Sequence, residues 1–464
     1  MPGVMVAPMR RLVSAVVRSP IRFAGVAYLL VRWAQVAGVE PARFPDSTGW
    51  TTLDLWGSND RFWPIPLVFG LAGSDTVRVL AHVVLGAAAW TWLASSVSAM
   101  TKWPRTAMLA VFAVGLAPQV TRWDLAILGE SLSITALVAL IAASVRLARG
   151  ASGPLPWFAM LVVFGLMRPT HLVVLAPVAA WFTVSAVRSR GARRALPALL
   201  LVAAAIWGVA LVRGNDATSR LNIYTVIAND VIVDDARFAW WVERGMPAPD
   251  GLRDAAGYDF AGDLPPDLAA IVALPAGQQP PAVVRAGGTE LAEWVRNNGT
   301  VVQARWVLSH PRDAWRSVSS RAHQVLSPPN DDFLPLDVRG LPVRAVFADW
   351  RVWVAAWLAG SLAAFVRGAK RREGRMLVLS GFALVALLVV TMNFSGIEHQ
   401  RHGAAVAVGL RVLGLVGLAA VVPGGRLSAD ARDADEPGAR KRRGASPRPG
   451  RGRTSRSTRR GTRE

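Results

Sequence analysis

The sequence predicts an all-α protein: a polytopic transmembrane helical bundle of about ten spans with a mainly helical extracytoplasmic domain. Three observations carry this. Of 464 residues, 52% are hydrophobic and only 18% are charged. The apolar residues fall in runs of roughly 13 to 25, lengths suited to crossing a hydrocarbon core. Arginine clusters separate the runs, and all of them can be put on one side of a membrane, as the positive-inside bias requires.

Composition excludes several classes. The formal net charge of +21 lies mostly in predicted cytoplasmic loops and the C-terminal tail, where attraction to the anionic inner leaflet accounts for it. No nucleic-acid partner is needed. There are no cysteines, so disulfides, thiolate metal sites and cysteine nucleophiles are absent. Basic residues are almost all arginine, with lysine only at Lys102, Lys370 and Lys441.

Taken in order, Arg10, Arg11, Arg18 and Arg22 precede an apolar run over 23–38. Arg32 interrupts it and no small-x-small cleavage site follows, so it reads as a retained signal anchor with a cytoplasmic N-terminus. An outer loop over 39–74 comes next. The second span, 75–100, ends at Lys102 and Arg105, and the third covers 106–120. After an outer turn, Thr121 to Asp124, the fourth runs over 125–145 to Arg146 and Arg149. The fifth, 155–167, reaches the outer face at Arg168, Pro169, Thr170 and His171, and the sixth descends to Arg188, Arg190, Arg193 and Arg194. The seventh, 195–212, closes a membrane domain of residues 1–213.

Residues 214–345 form the predicted extracytoplasmic domain, more acidic than basic. Apolar spacing predicts a helix over 289–307, and Ser309 is placed to cap another over 311–326. The Pro-, Gly- and Asp-rich middle, 247–281, reads as an ordered loop draped over the membrane face. Three further spans, 346–366, one ending near 392, and 404–422, make a second set of membrane helices in 346–423. The basic inner loop at 367–375 lies between the first two of them. The tail, 424–464, is basic and without apolar periodicity, which predicts a disordered cytoplasmic segment in contact with anionic lipid. Both termini are then cytoplasmic, in a multi-pass protein of the plasma membrane.

Ionisable groups inside or at the edge of apolar spans are costly and so mark function. Four places qualify. The first outer loop holds Asp46, Asp54 and Asp60 among Trp50, Trp56 and Trp63; of the three carboxylates, Asp46 lies nearest the first span. Glu130, beside Ser131 and Ser133, is expected about one and a half turns into the fourth span. Arg168 and His171 flank a helix break at Pro169. The last outer turn holds Glu398, Arg401 and His402. All four fall on the outer side, so one shared site is possible. Each also has a plain reading: Asp46 as a helix cap, Glu130 paired with an arginine such as Arg168, the arginines as interfacial anchors, the histidines as packing residues, and the tryptophans as an interfacial belt.

The order PDSTGW then RFWPIPLVFGLAG after the first span, GES opening a later span and MRPT at a helix break resembles the GT-C superfamily of integral-membrane glycosyltransferases. The resemblance covers about the first 190 residues by order of elements. It implies transfer of a sugar from a polyprenyl-phosphate donor to an extracytoplasmic acceptor, with an acidic residue of the first outer loop as the catalytic base or the group that positions the acceptor. Asp46 matches by position, with Trp50 where the family often has tyrosine. The family's second outer acidic residue has Asp124 as its nearest counterpart, and metal dependence stays open. The segment 227–247 and the closing EHQRH are similar to stretches of uncharacterised bacterial membrane proteins.

The chemistry would need a carboxylate to take the acceptor proton and cations to hold the departing phosphate. Asp46 and Glu130 are the catalytic candidates, and Arg168, Arg401 and His402 the phosphate ligands. Trp50, Asp124, His171 and Glu398 are candidate sugar or acceptor contacts. No residue is assigned as a metal ligand, a divalent metal stays open, and the polyprenyl-phosphate sugar enters as the donor substrate. The rival readings are a binding or transport protein for lipid-linked glycans, using the same groups without catalysis, and a scaffold for envelope assembly.

Overall fold

The computed structural model describes residues 20–52, 64–175, 216–257, 262–272, 279–328, 343–366, 371–396 and 398–422, with a few single positions in 178–206 and at 334 and 338. The predicted sixth and seventh spans, the basic tail, and Asp54, Trp56, Asp60 and Trp63 lie outside the described residues, wholly or in large part. Every regular element described is helical. The only pairing of extended backbone among the described residues is one isolated parallel bridge, Ala42 with Ala126.

The helices used below are α1 (Pro20–Val36), α2 (Asp75–Ser98), α3 (Pro104–Gly115), α4 (Glu130–Ala148), α5 (Pro154–Gly165), α6 (Thr300–Ser309), α7 (Pro311–Leu326), α8 (Trp350–Val366), α9 (Arg371–Phe394) and α10 (His399–Val421). Their starts follow local chemistry. Ser74 caps α2 by accepting from the Val77 amide, with Asp75 in the first turn; both suit the positive end of a helix dipole. Proline stands at the start of α3, α5 and α7, where its missing N–H costs nothing. Ser309 does not cap α7 as expected. Its hydroxyl donates to the Arg305 carbonyl at 2.7 Å, and His310 holds the cap position.

Four helices are long and apolar enough to cross a membrane: 75–98, 130–148, 372–394 and 399–421. Shorter apolar helices cover 104–115, 154–165 and 350–366. α4 and α10 are buried along most of their length. Large apolar side chains face outward on others: Phe23 and Leu30 on α1, Leu358 and Leu362 on α8, Leu379 and Phe382 on α9. Arg32, His82, Asp124, Glu130, Arg401 and Arg411 lie inside. Apolar surface outside and charge inside is the pattern that hydrocarbon surroundings favour.

In such surroundings helices associate by close packing rather than by leaving water. α8 and α10 meet at Gly360 and Gly417, where a Cβ on Gly360 would collide with the Gly417 backbone. Only a residue without a side chain allows that approach.

Residues 223–302 build a second core around Tyr224, Ile227, Trp241, Leu268, Val283 and Leu291. The described parts of the stretch expected to drape over the membrane contribute to this core: Leu252, Leu268 and Val272 are buried in it, on the turn Leu252–Ala255 and the short helix Pro266–Val272. α7, by contrast, sends Val318, Ala322 and Val325 into the first core with α9 and α10. Packing therefore changes partner within the predicted 214–345 domain, near its α6–α7 junction.

Candidate functional site

The loop after α1 is fixed by backbone and charge. Ala42 accepts from Ile127 at 3.0 Å and donates to Leu125 at 2.9 Å. Arg43 grips Asp75 through two bonds of 2.5 and 2.9 Å, and Arg78 joins the same carboxylate. Asp46 precedes a helical turn, Ser47–Thr51, yet its side chain makes no capping bond. Trp50 is buried against Gly129, where an added Cβ would stand 2.8 Å from Ile65 and 3.0 Å from the indole. Gly129 thus lets the loop close on the start of α4. Its burial takes Trp50 out of both an exposed aromatic belt and an open sugar platform.

Glu130 is the first residue of α4; it does not lie one and a half turns in. The preceding apolar residues, 125–129, are spent on the bridge to Ala42 and on turns. The carboxylate therefore sits at the positive end of a helix. Its Oε1 accepts from Arg401 Nε at 2.7 Å and from Arg168 Nη2 at 3.0 Å. Its Oε2 has no hydrogen-bond partner among the described residues.

Arg401, in the first turn of α10, joins the cluster together. Besides Glu130 it donates from Nη2 to Asp46 Oδ2 at 2.7 Å and from Nη1 to Glu398 Oε2 at 2.8 Å. The side chains grade from closed to open: Glu130 is 1% exposed, Arg401 4%, Asp46 15% and Glu398 30%. All four sequence-marked places are represented here by a charged residue.

Glu398 is the one non-glycine residue among those described with a left-handed backbone, φ 52° and ψ 35°. Such a conformation costs of order 1–3 kcal/mol and persists where its surroundings demand it. Here it precedes α10 and holds its carboxylate on Arg401. Burial pushes the Glu398 carboxyl above the usual carboxylate range, Arg401 pulls it back, and Asp46 and Glu130 add to the rise. His402 Nε2 lies 3.9 Å from Glu398, beyond hydrogen-bond range.

Two expected contacts lie elsewhere. Asp124 is fully buried, held by Arg32 through bonds of 2.7 and 2.9 Å, and it accepts from Ser131 Oγ at 2.6 Å. His82 Nδ1 meets the Asp124 carbonyl at 2.9 Å. Asp124 is thus a hub joining α1, α2 and α4 behind the cluster. His171 stacks on Phe164, with ring centroids 4.3 Å apart, and its Nδ1 meets the Phe164 carbonyl at 3.1 Å. Burial, with Arg168 beside it, drops its pKa to about 3. It is a neutral packing residue.

Buried ionisable residues without a place among the sequence candidates include Arg32, His82 and Arg411. Arg411 lies mid-way along α10 and donates to the Ala407 carbonyl at 3.1 Å, with longer bonds to the Val346 and Phe347 carbonyls. Each interrupts an apolar run, the same signal that marks Glu130.

A cluster of three carboxylates on two guanidinium groups has one negative charge in excess when all are ionised. A proton delivered by a bound hydroxyl would neutralise it, and Asp46 and Glu398 are the members open enough to receive one. An incoming anion would have to compete with those same carboxylates for Arg401. Among the described residues no group of three or more His, Asp or Glu side chains is arranged to hold a metal ion. No protein-family model, curated protein or solved structure matches the chain.

Proposed function

We propose that this chain is an integral-membrane glycosyltransferase of GT-C type that moves a sugar from a polyprenyl-phosphate donor to an acceptor on the extracytoplasmic side. The observation that carries the reading is the contact of Asp46, from the first outer loop, with Arg401, which also holds Glu130 and Glu398. In this reading Asp46 takes the proton of the acceptor hydroxyl. The hydroxyl oxygen attacks the anomeric carbon, and the bond from that carbon to the phosphate oxygen breaks, its electron pair leaving with polyprenyl phosphate. Arg401 and Arg168 stabilise the departing charge by exchanging a carboxylate partner for phosphate, with His402 as a further phosphate ligand. Glu130, at the closed end of the cluster, orients both arginines.

The proposal includes ten spans, an extracytoplasmic position for the cluster and for the 223–302 core, and a plasma-membrane protein with both termini inside. The four long apolar helices support the membrane part. A binding or transport protein for lipid-linked glycans is the second reading, favoured by the full occupation of Arg401 by carboxylates and by the charged groups buried along α1, α2 and α10. Incubating purified protein in lipid nanodiscs with a polyprenyl-phosphate donor labelled in its sugar separates the two. Release or transfer of the label supports the enzyme. Tight binding with the donor left intact supports the alternative.

A further inference from the structure

α6 and α7 clasp the end of α9. The Gln303 side chain donates to the Asn393 carbonyl, and the Asn393 amide donates to the Ala314 carbonyl at 3.3 Å. Farther along α7, Val325 packs on Gly403 beside Met392. Ala314 and Val325 stand about 16 Å apart along a helix, yet both rest at the level where α9 ends and α10 begins. α7 therefore lies across those helix ends, at the height where an apolar span leaves hydrocarbon.

The uncovered faces of this pair carry large apolar side chains. Val301 is 53% exposed, Leu308 81% and Trp315 52%. Val301 and Leu308 are seven residues apart on one face of α6, with Arg305 beside them, while Trp315 is flanked by Arg312 and Arg316 on α7. Arg316 pairs with Asp313 at 2.9 Å; Arg305 and Arg312 have no ion-pair partner among the described residues. Large apolar groups mixed with arginine and tryptophan, at the end of a span, form the composition of a helix seated in a headgroup layer.

We propose that the exposed face of α6 and the first half of α7 is seated in the anionic lipid surface where α9 ends. Val301, Leu308 and Trp315 enter the acyl boundary, and Arg305 and Arg312 take lipid phosphates. The seating would hold the second core against the membrane and fix Asn393, five residues before the turn at Glu398 that opens α10. It rests on the membrane assignment of α9 and not on the enzymatic reading.

The chain has no cysteine, so single-cysteine variants of the full-length protein take one spin label each. Labels at L308C, W315C and the exposed control E243C, in nanodiscs containing phosphatidylglycerol, are read by collision with oxygen and with a water-soluble nickel complex. The expected result is oxygen-rich, nickel-poor collision at 308 and 315 and the reverse at 243. Nickel access at 308 and 315 equal to that at 243 overturns the proposal. Exclusion of both agents, as in a protein contact, also overturns it. Replacing phosphatidylglycerol by phosphatidylcholine, or introducing R305Q with R312Q, should make 308 and 315 shallower. Immersion indifferent to both changes overturns the phosphate assignment.

Discussion

Arg401 and Asp46, 355 residues apart in sequence, meet at 2.7 Å. Through the same guanidinium the first turn of α10 also reaches Glu130, so the order of the chain and the order of the site are unrelated. What unites these residues is cost. A carboxylate or guanidinium removed from water is tolerated only with a partner, and at one end of this bundle the partners are each other.

Breaking that cluster should be expensive. Glu130→Gln leaves Arg401 and Arg168 buried with less neutralising charge, a loss of about 3–5 kcal/mol for a buried pair. Arg401→Gln should cost a similar amount. A double-mutant cycle in nanodiscs, followed by thermal unfolding, should return a coupling of about 0.5–3 kcal/mol. Additive single effects would mean the two residues do not act on each other.

Gly129→Ala puts a methyl group where Ile65 and the Trp50 indole already stand. Overpacking of this kind costs about 1–3 kcal/mol, and relief should come by displacement of the loop carrying Asp46. The expected outcome is a lowered melting temperature with a larger fall in sugar transfer, and combining it with Ile65→Val should recover part of both. A fully stable and active Gly129→Ala would show that the loop does not depend on this contact.

Asp124 should behave as a structural residue. Asp124→Asn strands Arg32 and should lower stability by about 3–5 kcal/mol, while Arg32→Met with Asp124→Leu removes both charges and should recover most of it. Melting of the single and double variants decides this. A double variant that folds well and keeps donor binding excludes direct substrate contact by Asp124; one that folds and loses binding restores it.

The folded pKa of His171, about 3, lies below its ordinary 6.5. Above pH 6.5 neither folded nor unfolded chain protonates it, and its contribution to stability is flat. Between 6.5 and about 3 the unfolded chain binds the proton and the folded chain does not, so stability falls as pH falls. His171→Asn should flatten the acid side of a melting-temperature profile. An unchanged slope would assign acid sensitivity to other groups.

Much of the site was legible because ionisable residues at the margins of apolar runs are rare, and Asp46, Glu130, Arg168 and Arg401 all stand there. Register was less legible. Residues 125–129 are as apolar as the helix that follows, and hydropathy cannot register that their backbone pairs with Ala42. The Arg32–Asp124 pair was hidden by its separation of 92 residues, so Asp124 read as a site residue and Arg32 only as an interruption. The stretch over 247–281 carries the proline and glycine of a loop, but Leu252 and Leu268, sixteen residues apart, find their shared core only in three dimensions. Likewise nothing in a local pattern indicates that Val318, Ala322 and Val325 of α7 join the first core while Val283, Leu291 and Val302 join the second.

The most direct measurement is a single turnover of labelled polyprenyl-phosphate sugar by wild type and by Asp46→Asn, each in nanodiscs with donor already bound. The account predicts that both bind donor, that wild type releases the sugar to an acceptor and that Asp46→Asn releases it at least about 100-fold more slowly, as expected for loss of a general base. Equal rates in the two proteins would contradict it.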